Sequence, residues 1–281
     1  MKTIAVLTDF SKGAEHATQF ALHMAKKMKA DVLLFSTCLV PDVHQPVLAG
    51  QADLLQETET ALFNYGDRMA EILAGRTFPG AYMPEIRMDP DNTDMVDIMT
   101  SLMENPEVCL IVTSSGKEND LANFVLSDTC TRLIDWAIVP VLVVPETAPL
   151  HNFEKIAFAA QLHEEDINSI AELGTLLESF AAELMVVHLN NKPGNQDIKQ
   201  AEASLNRDLY KKLNCGGVYF RSIPDTGPHQ NWDWLKANKR TDLLAVVQQP
   251  REQMTSFFQR GMNPSVTYHL TLPVMILPKK P

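Results

Sequence analysis

The chain carries one pattern twice. "KTIAVLTDFS" near the start and "KIAFAAQLH" past the middle superimpose with Ile4 opposite Ile156. At the same offset "KADVLLFS" faces "AAELMVVH", with Ala30 opposite Ala182. Between these apolar runs each copy has a helical stripe: Ala21, Met24, Ala25 and Met28 in the first, Leu173, Leu176, Leu177 and Phe180 in the second. That spacing makes one face of a helix. Later, "IRMDPDNT" aligns with "FRSIPDTG", pairing Arg87 with Arg221, Pro90 with Pro224 and Asp91 with Asp225. The copies close on "CLIVTSS…VPVLVVP" and "DLLAVVQ…LPVMILP", with Pro140 opposite Pro273.

Each copy therefore reads β-α-β-α-β-α-β-α-β. The expected strands are 2–9, 31–38, 82–88, 108–114 and 140–144, then 154–161, 183–189, 217–222, 242–248 and 273–277. Several are almost unbroken apolar runs, as in parallel sheets covered on both faces. Strands alternating with helices predict two tandem doubly wound α/β domains. Their expected limits are 1–146 and 153–281, with the uncharged "TAPLHN" (Thr147–Asn152) as linker.

A length of 281 residues agrees with two domains. The hydrophobic share of 45% supports real cores, yet no apolar run approaches a membrane span. "MKTIAVLTDF" is too short in its apolar part for a secretory signal, so a cytoplasmic protein is expected. The four cysteines (Cys38, Cys109, Cys130, Cys215) form no CxxC pair and are expected to be buried free thiols. Through Thr147 there are 10 basic and 21 acidic residues, so the first half carries the whole net charge of −11; the rest has 14 of each. That balance disfavours nucleic acid and anionic membrane as partners.

"SSGKENDLANFVLSDTC" (Ser114–Cys130) lies between a strand and a helix, where phosphate cradles form. Such cradles need bare backbone, and this loop has one glycine, Gly116.

The opening "KTIAVLTDFSKGAEHATQFALHMAKKMKADVLLFS", with its strand, "TDFS" turn and alanine-rich helix, resembles the start of universal stress proteins. "VPVLVVP" and "LPVMILP" resemble the family's last strand. The resemblance covers nearly the whole chain, twice, and so implies a tandem member. It implies a five-stranded parallel sheet of order 3-2-1-4-5 with helices on both faces. Many members bind ATP through G-x2-G-x9-G followed by Ser or Thr. Anchored on "PVLVV", those positions fall on Ser114, Lys117, Ser127 and Asp128; in the second copy they fall on Val247, Pro250, Arg260 and Gly261. No glycine of the motif is present in either copy. Pro250 also lacks an N–H. Asp128 would repel phosphate: like charges about 4 Å apart cost roughly 4 kcal/mol at an effective dielectric near 20, close to a thousandfold in affinity. Lys117 would offset part of this.

Asp9 in "TDFS" matches the family position at the adenosine end of the site, and it equally suits a cap on the following turn. Its counterpart is Gln161. If a ligand pocket survives, it is expected in the first copy at Thr8, Asp9 and Thr37, with Ser114, Gly116 and Ser127 across from them. No cofactor is expected.

Other candidates are weaker. Asp89, Asp91 and Asp94 imitate a calcium loop without its glycine and final glutamate, and suit a helix N-terminus better. Trp232 and Trp234 suit packing more than a ligand platform. His16 and His23 lack the i, i+4 spacing of a helical zinc pair, and His163 lies in the second copy's loop after its first strand. No nucleophile, base or metal set emerges. The leading expectation is a non-enzymatic stress-response protein acting through protein contacts or an unidentified ligand. The alternative is an adenine-nucleotide binder using Asp9, with AMP favoured over ATP; an enzyme is the weakest reading. Members of the resembled family commonly dimerise through their last strands, whose edges would otherwise be unpaired, so the resemblance implies that the copies pair through 140–144 and 273–277, with further self-association through sheet edges.

Overall fold

The computed structural model describes residues 1–37, 51–76, 80–90, 95–115, 128–150, 152–163, 165–176, 178–190, 195–212, 217–224, 241–249 and 272–279. The chain divides into two compact units, the break falling after Leu150.

The first unit contains β1 (Thr3–Thr8), α1 (Lys12–Met28), β2 (Asp31–Ser36), α2 (Gln51–Gly75), β3 (Ile86–Asp89), α3 (Met95–Glu104), β4 (Val108–Ser114), α4 (Asp128–Trp136) and β5 (Val141–Val144). Its strands lie in the order β3-β2-β1-β4-β5, and every pair is parallel. Right-handed crossovers in this order place α1 and α2 on one face, α3 and α4 on the other. β1 is buried along its whole length, as a central strand between two helical layers must be.

α1 shows how local sequence sets the element. Ser11 caps it, its Oγ accepting from the Ala14 N–H at 3.2 Å. Glu15 sits in the first turn and Lys26 and Lys27 in the last, each favoured there by the helix dipole. Small residues (Ala14, Ala17, Ala21, Ala25) are fully or almost fully buried and let the helix approach the sheet closely. Lys29 ends it in the left-handed conformation, φ 53°.

The second unit contains β6 (Lys155–Ala160), α5 (Asp166–Leu176), β7 (Glu183–Asn190), α6 (Gln196–Lys212), β8 (Val218–Pro224), β9 (Leu243–Val247) and β10 (Val274–Leu277). Its order is β8-β7-β6-β9-β10, again parallel throughout. Both units thus have the expected 3-2-1-4-5 order. The repeat also appears in the backbone. Among the described residues the non-glycine positions with positive φ are Phe10, Lys29, Leu162 and Ala181, and the second pair follows the first at the offset that sets Ile4 opposite Ile156.

Two expectations need correction. β3 begins at Ile86 and not at residue 82. Pro84 has no N–H for the ladder, and the buried Asp31 carboxylate holds the approach instead, accepting from the Tyr82 hydroxyl at 2.8 Å and the Glu85 N–H at 3.0 Å. The second unit's first helix does not reach Phe180. α5 stops at Leu176, and Phe180 lies in a 3-10 turn, Glu178–Phe180, its ring 5.0 Å from that of Phe153. Gly174 in the last turn of α5 weakens its continuation.

Candidate functional site

In the order 3-2-1-4-5 the chain leaves β1 toward one edge and β4 toward the other. The crevice outside the carboxyl ends of these two neighbouring strands is where doubly wound sheets receive ligands. β1 and β4 run in register to Val6 and Val112, so Thr8 and Ser114 finish the two strands side by side.

Thr8 is almost fully buried. Its Oγ1 accepts from the Phe10 N–H at 3.0 Å, and its carbonyl accepts from both the N–H of Thr37 at 2.9 Å and the Thr37 hydroxyl at 3.3 Å. Asp9, half-buried, accepts from the Ser11 N–H through Oδ1 at 3.0 Å. Three side chains, Thr8, Asp9 and Ser11, therefore fold this turn by binding N–H groups ahead of them. They hold Phe10 at φ 60°, a conformation that costs a non-glycine residue roughly 1–2 kcal/mol. The Phe10 ring meets the Tyr65 ring edge-on at 5.5 Å. Tyr65 in turn bonds Thr18 at 2.7 Å and the Ala14 carbonyl at 3.3 Å, and burial pushes its phenol pKa up.

The structure thus gathers Thr8, Asp9 and Thr37 at the end of β1 and sets Ser114 beside them. Gly116, Lys117 and Ser127 lie outside the described residues; Asp128 opens α4. Phe10 and Tyr65 escaped the sequence reading. Tyr65 sits on α2, far along the chain from Thr8 and Phe10, and no local pattern marks it.

The second unit arranges the same place differently. Leu162 takes φ 64° where Phe10 takes 60°. Here the buried Asp166, at the start of α5, turns its carboxylate back to accept from the Gln161 N–H at 2.9 Å and the His163 N–H at 3.2 Å. Burial raises its pKa, and those backbone bonds lower it. His188 bonds the Ala160 carbonyl through Nδ1 at 3.2 Å; a carbonyl only accepts, so Nδ1 carries the proton. At the ends of β7 and β8, Glu202 of α6 accepts from Ser222 at 2.5 Å and from Asn190 at 3.4 Å. Beyond β9, Gln248 receives the Lys279 N–H at 3.3 Å, and Gln249 donates to the Val247 carbonyl at 3.2 Å. Pro250, Arg260 and Gly261 fall outside the described residues.

Of the remaining candidates, His16 bonds the Ala148 carbonyl at 2.7 Å, which fastens the chain after β5 to α1. Cys109 is a half-buried free thiol whose Sγ lies 3.5 Å from the Thr3 carbonyl; burial raises its pKa. Asp89 ends β3, while Asp91, Asp94, Trp232, Trp234, Cys38 and Cys215 lie outside the described residues. Among the described residues no three His, Cys, Asp or Glu side chains gather as a metal site, and no helix is long and apolar enough to cross a membrane.

The model of the universal stress protein family matches residues 1–145. The chain belongs to the universal stress protein family. Comparison with curated proteins gives no match. Among solved structures, the chain is similar to a universal stress protein from Archaeoglobus fulgidus, with a TM-score of 0.67 at 12% identity over 99% of this chain and 98% of that one. It is also similar to a putative universal stress protein from Pseudomonas aeruginosa (TM-score 0.50, 12% identity, 99% and 93% covered). A third likeness is to the cytoplasmic domain of a prokaryotic cation chloride cotransporter (TM-score 0.50, 12% identity, 98% and 94% covered). At these identities the likeness is one of fold.

Proposed function

We propose that this family member is a non-enzymatic, cytoplasmic stress-response protein whose first-unit crevice does not bind ATP. The observation that carries the reading is the state of the polar groups at the end of β1. Thr8 Oγ1 and one oxygen of Asp9 accept N–H groups of their own turn, and the Thr37 hydroxyl is bonded to the Thr8 carbonyl. Part of each group's hydrogen-bonding capacity is thereby committed to holding Phe10 in place, which leaves less of it for a nucleoside. The sequence adds a second support. The positions that bare backbone occupies in ATP-binding relatives are Ser114, Lys117 and Ser127, followed by Asp128.

The test is calorimetric titration of the purified chain with ATP and with AMP, magnesium present. The expected dissociation constant for ATP is about a millimolar or weaker, about −4 kcal/mol or less favourable. AMP should bind at least as well, lacking the distal phosphates nearest Asp128. Micromolar ATP binding that vanishes in Asp9→Ala would overturn the proposal and establish the nucleotide-binding reading. The converse variant, Ser114→Gly, Lys117→Gly, Ser127→Gly and Asp128→Ser together, should gain ATP affinity. If it folds and still ignores ATP, the loop is not the cause.

A further inference from the structure

A second recess lies away from the crevice, separated from β1 by β2. Gly66, Leu73 and Ala74 on α2, with Pro84, Ile86 and Met88 around β3, enclose a cavity of about 260 Å³. Its lining is completed by Asp67, Ala70 and Met83, all exposed, Met83 to 49%. Phe63, one turn before Asp67, is 41% exposed. Large apolar side chains left in water around an apolar recess mark a binding surface.

Gly66 shapes the recess. A Cβ there would stand 2.7 Å from the Met88 Sδ, so the bare backbone is what admits the thioether against the helix. Glycine inside a helix costs about 1 kcal/mol relative to alanine, and its place here follows from that approach.

β3 is also the outermost strand of its sheet; among the described residues no strand lies on its far side. The Val32 N–H bonds the Glu85 carbonyl at 2.9 Å, and Val32 pairs with Ile86. In a parallel ladder the backbone groups alternate, so Arg87 and Asp89 turn toward β2, while Ile86 and Met88 direct their N–H and C=O groups away from it. The two residues whose side chains line the recess are therefore the two whose backbone can pair with an added strand.

Acidic side chains flank the recess. Asp67, Glu71 and Glu85 are exposed. Of the neighbouring cations, Arg68 pairs with Glu15 at 2.7 Å, Arg76 donates to the neutral Gln19 at 3.0 Å, and Arg87, on the face of β3 opposite Ile86 and Met88, donates to Thr3 at 3.2 Å.

We propose that this edge docks an extended segment of a partner protein in which an apolar residue and a basic one stand two apart, so that both face α2. The segment adds to β3 as a further strand, seats an apolar side chain in the recess, and sets a lysine or arginine against Asp67. Strand addition draws affinity from main-chain bonds and specificity from alternate side chains, and both parts are present here.

The probe is a fluorescein-labelled peptide repeating Leu-Thr-Lys-Thr, which puts leucine and lysine on one face of a strand, titrated against the full chain by anisotropy. An equivalent peptide with glutamate for lysine, and one N-methylated at alternate residues, serve as comparisons. Saturable binding of the lysine peptide is expected, with the Ile86 and Met88 amides protected from exchange. Loss on N-methylation, and weakening by about tenfold in Asp67→Lys and in Met83→Asp, each measurable against the wild type, would support the site. Both substitutions are at exposed positions, so the fold should be retained. The proposal fails if no peptide binds, if the glutamate peptide binds equally, or if neither substitution matters. It fails too if the chain instead self-associates in a way that Met83→Asp abolishes, which would give the edge to a second copy.

Discussion

Tyr82 donates its phenol to the buried Asp31 carboxylate at 2.8 Å. Desolvation, reinforced by this bond and by the charges of Asp31 and Glu85, pushes its pKa from 10.0 up to about 12. The folded value lies above the unfolded one, so the bond's stabilisation is complete below pH 10 and is lost as pH rises through about 12. Tyr82→Phe should remove that late-titrating phenol from the ultraviolet tyrosinate curve and abolish its share of the alkaline stability loss, measured as urea midpoints across the same window. Tyr65 makes a different test. Its hydroxyl bonds Thr18, but Thr18 also donates to the Ala14 carbonyl at 2.8 Å and keeps that partner when the phenol is gone. Tyr65→Phe should therefore cost only about 1 kcal/mol in chemical denaturation. A loss several times larger would mean that the hydroxyl, and not the ring against Phe10, fixes the turn after β1.

The elements depend on a few local devices. Ser11 satisfies one N–H at the start of α1, and Ser11→Ala should lower stability by about 1 kcal/mol, read from the shift in urea midpoint. The sequence placed a cap here at Asp9, whereas the helix itself is capped by Ser11, two residues on. The central strands were readable in advance, because a buried parallel strand is apolar on both faces. What the sequence obscured was set by distant partners. Asp31 takes the Tyr82 hydroxyl and the Glu85 N–H and so delays β3, though nothing near residue 82 announces a buried acid fifty residues earlier. Likewise Phe180 continues the apolar stripe of α5 in sequence, yet it packs on Phe153 from a separate turn. At the candidate site, Asp9 and Thr8 were legible from their place after a strand. That Asp9 bonds within its own turn was one of the two readings the sequence offered; that Thr8 Oγ1 does so too was not legible, because it depends on the positive φ of Phe10.

At the scale of the whole molecule, charge is the most informative property. The full net charge of −11 falls on residues up to Thr147, while the remainder is balanced. The chain should not be retained by duplex DNA or RNA in a filter-binding assay even at low salt, where electrostatic attraction is least screened. Salt-sensitive retention would reveal a basic surface that this distribution does not suggest. The same acidity should make capture of the lysine–leucine probe weaken as salt is added, separating the charge contribution from strand pairing.

The turns at Phe10 and Leu162, and those at Lys29 and Ala181, share a positive φ at matching places in the two copies, with different side chains. A chain that performs the same manoeuvre twice is its own control experiment. Glycine at a left-handed helix end removes a steric cost but adds freedom to the unfolded chain. Lys29→Gly and Ala181→Gly pose that question in two contexts of one molecule, under identical solvent, temperature and concentration. If both raise stability by a similar amount, about 1 kcal/mol or less, the preference belongs to the path. If they differ, the difference measures what neighbouring residues contribute, a quantity that comparing two separate proteins would blur.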